Sequence, residues 1–283
     1  MKTIKLLLTT LLVGTLFISC TDNGDDPIVE TNPLESFNLL TTIDANNHSI
    51  EVYSEQDQYT IGYNEFLYRI KDMATDSYVT GATITMNPMM HMTMMTHSCP
   101  KSAIKETEEP SVYNGFSIFQ MPGNDDEYWD LNFEYMFDGQ TYNTAERVEV
   151  KVPMDGKKRV NVFTASDDSR YVLAMMPMKP EVAVNDFSAM LFKMENMMTF
   201  PVVEGYTVSI DPRMPSMGNH SSPNNQDLTF DASNNTYKGK LSLTMTGYWK
   251  INIKVMNASG EVLKGENITE ENESSSLFFE MEF

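Results

Sequence analysis

Short runs of alternating hydrophobic and polar residues recur along most of this chain. Such period-two alternation, with β-branched and aromatic residues at apolar positions, is typical of half-buried β-strands. Turn-forming Gly, Pro, Asn or Asp residues separate the runs, and no convincing amphipathic helix is found. The pattern predicts strands at Phe66 to Ile70, Val79 to Met86, Phe116 to Met121, Trp129 to Phe133, Phe187 to Met194, Tyr206 to Ile210, Lys240 to Met245 and Trp249 to Val255.

The order of motifs in the first half of the chain returns in the second half. In both halves a Tyr-x-Gly tyrosine is followed by a methionine eight residues later and by a glycine ten residues later. A shared order of this length indicates an internal repeat. The matched residues are Asn64 and Asn185, Phe66 and Phe187, Pro88 and Pro212, His97 and His220, Tyr113 and Tyr237, Met121 and Met245, and Trp129 and Trp249.

Many short strands in two copies predict an all-β fold. We expect two immunoglobulin-like antiparallel β-sandwich domains in tandem, at residues 35–152 and 159–283. The stretch Pro153 to Arg159, with a turn-forming Asp-Gly pair and three consecutive basic residues, is the predicted boundary.

The first twenty residues resemble a bacterial lipoprotein signal peptide. Lys2 and Lys5 precede the apolar run Leu6 to Ile18, which is too short to span a membrane, and Ser19 precedes Cys20. We expect a lipid on Cys20 to anchor the protein to the outer membrane, on its periplasmic or its surface face. The alternative is an ordinary secreted protein with a free thiol at Cys20. Residues 21–34, polar and acidic, predict a flexible tether.

The composition narrows the possible partners. The formal net charge is −20, and removal of Lys2 and Lys5 with the signal would make it −22. Nucleic acid is therefore not expected as a partner. The sequence has no Gly-x-Ser-x-Gly elbow, no phosphate-binding glycine loop and no His-Glu-x-x-His motif, so we do not expect an enzyme.

Soft metal ligands are concentrated between Met86 and Cys99. This segment holds six methionines, two histidines and one cysteine, and it carries no formal charge. Thioether and thiolate sulfur favour Cu(I), and imidazole binds copper and zinc. Methionine also fills hydrophobic cores, so packing is the competing interpretation. The candidate ligands in the first half are Met89, His91, Met92, Met94, Met95, His97 and Cys99.

An extended backbone would divide these ligands between two faces. Met90, Met92 and Met94 would then face one way, and Met89, His91, Met95 and His97 the other. Cys99 would be the strongest ligand as a thiolate, or else a small buried residue next to Pro100.

The second half repeats a smaller ligand set. Met214, Met217 and His220 follow each other at steps of three, and Pro212, Pro215 and Gly218 disfavour a regular helix there. We expect a turn that brings the two sulfur atoms and the imidazole together. Met121, Met245 and the two tryptophans are expected in the cores.

These motifs resemble the YtkA-like or FixH-like domain family. The resemblance rests on Pro212-Arg-Met-Pro-Ser-Met-Gly-Asn-His220, the Tyr237-Lys-Gly motif and Met245-Thr-Gly-Tyr-Trp249, and it covers about a hundred residues of the second half. The first half has an enlarged methionine loop, and its resemblance to the family rests mainly on the internal repeat. The resemblance implies an immunoglobulin-like sandwich in an exported or membrane-anchored protein, near copper handling in some members.

Together these features predict a lipid-anchored envelope protein that binds copper, as Cu(I), for delivery, scavenging or buffering. A copper-accepting or copper-exporting envelope protein would be its partner. The alternative is a metal-free interaction or structural module whose methionine-rich loop contacts a protein or glycan.

Overall fold

The computed structural model describes residues 32–283, which fold almost entirely as β-strands and turns. The predicted signal peptide, the lipidation site Cys20 and most of the predicted tether lie outside these residues. The end of that tether is folded, because Leu34 is buried against Tyr53 and Val112. Within 32–283 there is no helix that is long and apolar enough to cross a membrane.

The first half is built from two facing sheets. One has the strand order β1-β2-β4-β9-β8, with β5 beside β4, and the other has the order β11-β10-β6-β7, while β3 and β12 form a separate parallel pair. The strands are β1 (Asn38–Ala45), β2 (His48–Ser54), β3 (Tyr59–Thr60), β4 (Gly62–Asp72), β5 (Ser77–Tyr78), β6 (Thr83–His91), β7 (Thr96–His97), β8 (Lys105–Glu106), β9 (Tyr113–Phe119), β10 (Tyr128–Phe137), β11 (Gln140–Val148) and β12 (Val150–Lys151).

The second half follows residues 152–159, which form no strand, and its strands join in one continuous sheet because β18 also pairs with β16. Its strands follow the order β13-β14-β15-β19-β18-β16-β20-β21, with β17 beside β16 and β22 beside β20. They are β13 (Val160–Thr164), β14 (Arg170–Met175), β15 (Val184–Met194), β16 (Thr207–Met214), β17 (His220–Ser221), β18 (Gln226–Asp231), β19 (Thr236–Ser242), β20 (Tyr248–Met256), β21 (Val262–Lys264) and β22 (Phe278–Glu282).

Each half has the strand order of an immunoglobulin sandwich, with one extra strand that comes before strand A in the chain and pairs with it. In the first half β2, β4, β9 and β8 take the places of strands A, B, E and D, and β6, β10 and β11 those of C, F and G. The second half matches with β14, β15, β19 and β18, then β16, β20 and β21. The predicted fold class, an all-β chain with two immunoglobulin-like sandwiches in tandem, is confirmed.

Matched side chains make matched hydrogen bonds in the two halves. The Asn64 amide bonds to the backbone of the residues four and two positions before it, and Asn185 does the same. The hydroxyl groups of Tyr113 and Tyr237 donate to the carbonyls of Val79 and Val203. The repeat read from the sequence is thus also a repeat of interactions.

The two cores are separate and are joined by a third apolar cluster. Trp129 and Trp249, both fully buried, are the largest core side chains. They lie on the F strands β10 and β20, whereas the tryptophan typical of immunoglobulin domains lies on strand C. Ile118 from the first half packs with Val172 and Phe192 from the second. Residues 33–283 therefore form one compact unit.

A buried proline sits inside each C strand. Pro88 pairs with Leu131, and Pro212 with Ile251, on one side only. On the other side β7 pairs only with Met90 and His91, and β17 only with Arg213 and Met214. Because proline has no N–H, it suits such an unpaired stretch. Strand β6 therefore continues through Pro88 to His91, five residues beyond its predicted end.

The repeated glycine of the Tyr-x-Gly motif gives a stability test. A Cβ atom at Gly239 would overlap the Gln226 carbonyl oxygen and would lie 2.9 Å from that of Asp227. At Gly115 the nearest atom would be Cγ1 of Ile104, a side chain that can move, at 3.0 Å. We expect Gly239→Ala to lower the unfolding free energy by about 3 kcal/mol, and Gly115→Ala by about 1 kcal/mol.

Urea unfolding of both variants measures this difference through the midpoint at constant m value. Equal losses at the two glycines would contradict the close approach of backbone at Gly239.

Candidate metal centre

The methionine segment of the first half forms a hairpin. Strand β6 ends at His91, the Met92 N–H donates to the Met95 carbonyl over 2.9 Å, and β7 returns along β6. In this register Met90 lies opposite His97. Residues directly opposite each other on antiparallel strands share a face. Met90 and His97 therefore point together toward the core, where both are buried.

A hydrogen bond to a backbone carbonyl holds His97 in one tautomer. Its Nδ1 lies 2.7 Å from the carbonyl oxygen of Ser98, so Nδ1–H is the donor. The lone pair of the neutral ring is then on Nε2, the form in which histidine can bind a metal. The ring stands perpendicular to Trp129, with 5.5 Å between the ring centroids.

Trp129 links the hairpin to the next strand. It pairs directly with Met90 across the β6–β10 ladder, and its indole N–H donates to the Met121 carbonyl over 3.0 Å. Met90, His97 and Trp129 thus form a buried group at one end of the sandwich. The methionine side chains of Met121 and Met92 are partly buried against the same core.

Met90 was not among the predicted ligands, although the repeat contained a signal for it. Met90 and Met214 each follow the matched proline by two residues. Alternation along a strand places them on the same face in their respective halves.

The predicted division of the ligands between two faces is wrong for His97. The turn at Met92–Met95 reverses the chain, so His97 shares the face of Met90 and not that of His91. The predicted alternation does hold within β6 itself, where Met89 and His91 alternate with the inward Met90. Met94 is 88% exposed and Met95 is 48% exposed on the turn.

On the outward face, His91 has partners of its own. Its Nε2 lies 3.0 Å from Oδ2 of Asp130, and its ring stacks on Tyr128 with 4.9 Å between centroids. Met89, two residues earlier on the same face, pairs with Asp130 across the ladder.

Cys99 lies in the core of the first half and is 1% exposed. Burial raises the pKa of its thiol to about 12, because the low-dielectric core disfavours the thiolate. This environment favours the packing interpretation of Cys99 over the ligand interpretation.

The second half has a smaller version of the hairpin. Met214 on β16 lies opposite His220 on β17, and a 3-10 turn at Pro215–Met217 joins them. Met214 is buried, whereas His220 and Met217 are exposed. Met214 therefore lies opposite His220 in the backbone register, while Met217 lies on the turn. Trp249 donates to the Met245 carbonyl over 3.0 Å, as Trp129 does to that of Met121.

The two halves also meet at the first hairpin. The Ser98 N–H donates to the Met197 carbonyl over 2.8 Å, so the loop after β15 contacts the residue next to His97. Sequence reasoning did not single out this loop.

Among the described residues no three His, Cys, Asp or Glu side chains gather as a metal-binding group. No protein-family model matches the sequence, and no curated protein matches it as a relative.

The buried thiol gives a labelling test. In a Cys20→Ser variant, Cys99 is the only thiol in the sequence. At pH 8 we expect iodoacetamide to modify native Cys99 much more slowly than the unfolded chain, because burial shields the thiol from the reagent and raises its pKa to about 12. Mass spectrometry with and without denaturant measures the rates, and equal rates would contradict the burial of Cys99.

Proposed function

We propose that each half binds Cu(I) at its hairpin, through a methionine and a histidine that face each other across two strands. The observation that carries this proposal is the repetition of one constellation. In the first half, Met90 and His97 lie beside Trp129. The matching residues of the second half are Met214, His220 and Trp249.

The donor set suits a soft monovalent ion. A thioether and a neutral imidazole bind without adding negative charge, so they match Cu(I) better than Ca²⁺ or Mg²⁺, which prefer oxygen ligands. In the first half the buried positions of Met90 and His97 would also keep water from the ion. The hydrogen bond from Nδ1 of His97 keeps Nε2 as the binding nitrogen.

The turn methionines would take part in exchange. Met92, Met94, Met95 and Met217 lie on the two turns, three of them exposed, and single thioethers bind weakly. They would therefore pass the ion between the hairpin and an acceptor. This role fits a chaperone, scavenger or buffer in copper handling.

The proposed setting is the bacterial cell envelope. The lipoprotein-like signal supports a lipid on Cys20 and attachment to the outer membrane, on its periplasmic or its surface face. The YtkA-like or FixH-like resemblance supports a copper-accepting or copper-exporting envelope protein as the partner. The net charge of −20 would concentrate cations and repel nucleic acid.

A metal-free contact patch is the second candidate function. Met94 and Met95 in the first half, and Met197 and Met198 in the second, are exposed large hydrophobic side chains. Flexible methionines adapt to different partner surfaces, so a protein or glycan partner could bind there.

Cu(I) titration against a competing chelator under reducing conditions tests the metal function. We expect the Cys20→Ser protein to bind Cu(I) more tightly than micromolar. A Met90→Leu, His97→Ala double variant should lose more than tenfold in affinity at the first hairpin, which is about 1.4 kcal/mol or more. A Met214→Leu, His220→Ala variant should do the same at the second hairpin.

Met136→Leu is the control for a methionine replacement away from the hairpins, because Met136 is exposed and lies near the other end of β10. Its affinities should equal those of the parent. If the parent binds no tighter than micromolar, or if both double variants bind like it, the copper function is wrong. Metal-free capture of an envelope partner that Met94→Ser and Met95→Ser abolish would instead favour the contact patch.

A further inference from the structure

The two histidines of the first hairpin cannot share one ion through the same face. His97 points inward with Met90, whereas His91 points outward from the same strand pair. The ring of His97 contacts Trp129, and that of His91 contacts Tyr128. Trp129 and Tyr128 are consecutive residues of β10 and therefore lie on opposite faces of the sheet.

Asp130 orients His91. Its Oδ2 is 3.0 Å from Nε2 of His91, and both side chains are only partly exposed, at 22% and 36%. A carboxylate acceptor at Nε2 places the ring proton there and leaves the lone pair on Nδ1. The ring nitrogen with a free lone pair for a metal is thus Nδ1 in His91 and Nε2 in His97. Stacking on Tyr128 at an interplanar angle of 19° further restricts the ring.

A sulfur ligand lies on the same outer face. Met89 precedes His91 by two residues and faces Asp130 across the ladder. Its side chain is partly exposed, as is that of His91. The outer face therefore combines a soft thioether, an imidazole of fixed tautomer and access from solvent.

From this geometry we infer a separate outer metal site in the first half, formed by Nδ1 of His91 and the sulfur of Met89 and oriented by Asp130. It takes a soft or borderline transition-metal ion, with Cu(I) as the probe. Asp130 is a positioning residue, since it contacts His91 and not the ion. The inference extends the proposed function from one site at this hairpin to two.

A double-mutant cycle in the full chain separates one shared site from two. We expect His91→Ala and His97→Ala each to remove one equivalent of bound Cu(I), and the double variant to remove two, because independent sites add. If the double variant loses no more than either single variant, the ion is shared and the outer site is wrong. If His91→Ala changes nothing while His97→Ala does, the outer site fails and the inner site stands.

Asp130 has a matched control on the same strand. Glu134 lies four residues further along β10, on the same outward face, and is exposed. Asp130→Ala should weaken the outer site about 10- to 100-fold, the effect expected for the carboxylate partner of a metal-binding histidine. Asp130→Asn keeps an acceptor oxygen and should restore most of the affinity. Glu134→Ala removes the same charge and should leave it unchanged.

Histidine ¹⁵N NMR of the metal-free protein gives a readout that does not depend on copper. We expect His91 with its proton on Nε2 in the parent and a mixture of tautomers in Asp130→Ala. A His91 ring already protonated on Nδ1 in the parent would overturn the role of Asp130. Failure of the parent to bind Cu(I) at all would instead overturn both the proposed function and the outer site, whatever the tautomer of His91.

Discussion

The pairing of β6 with β10 is the constraint on which the candidate metal centre depends. It places Met90 opposite Trp129 and thereby fixes which side chains of the methionine segment face the core. A shift of this ladder by one residue would exchange the two faces, so that Met89 and His91 would be buried and Met90 exposed. The buried Trp129 opposes such a shift, because its indole N–H is bonded to the Met121 carbonyl. The second half has the same indole bond at Trp249.

Burial divides the proposed ligands into two groups. Met90, His97 and Met214 have almost no contact with solvent, whereas Met94, Met95 and Met217 are exposed on turns. In the proposed function, a buried methionine–histidine pair beside tryptophan would hold the ion, and an exposed thioether would exchange it. His220 differs from His97 in being exposed. The hydrogen bond from the Ser98 N–H to the Met197 carbonyl joins the second half to the first hairpin, next to His97.

The sequence predicted strands with alternating burial better than exposed strands. Strands β2 (His48–Ser54) and β14 (Arg170–Met175) are buried along most of their length, and they were not among the predicted strands. Strands such as β4, β10, β15 and β20 carry alternating apolar residues that define a core face, so their patterns are visible in the sequence. Strand β11 (Gln140–Val148) is mostly exposed and polar, and it forms because its backbone pairs with β10. Such pairing depends on a neighbouring strand, and the local pattern does not contain it.

The sequence named most residues of the candidate site, but it did not give the direction of their side chains. The match of His97 with His220 followed from the repeat alone. The inward direction of His97 depends on a turn that closes at Met92–Met95, and the burial of Cys99 depends on strands far away in the sequence. Met90 was not among the predicted ligands. It is both buried in the core and opposite the histidine.

X-ray absorption at the copper edge tests the central claim most directly. The Cys20→Ser protein, loaded with Cu(I) and freed of loosely bound metal, should retain copper with both sulfur and nitrogen neighbours. Replacement of Met90 and Met214 by leucine should reduce the sulfur contribution. Copper that is lost on desalting, or that retains only nitrogen and oxygen neighbours, would contradict the account.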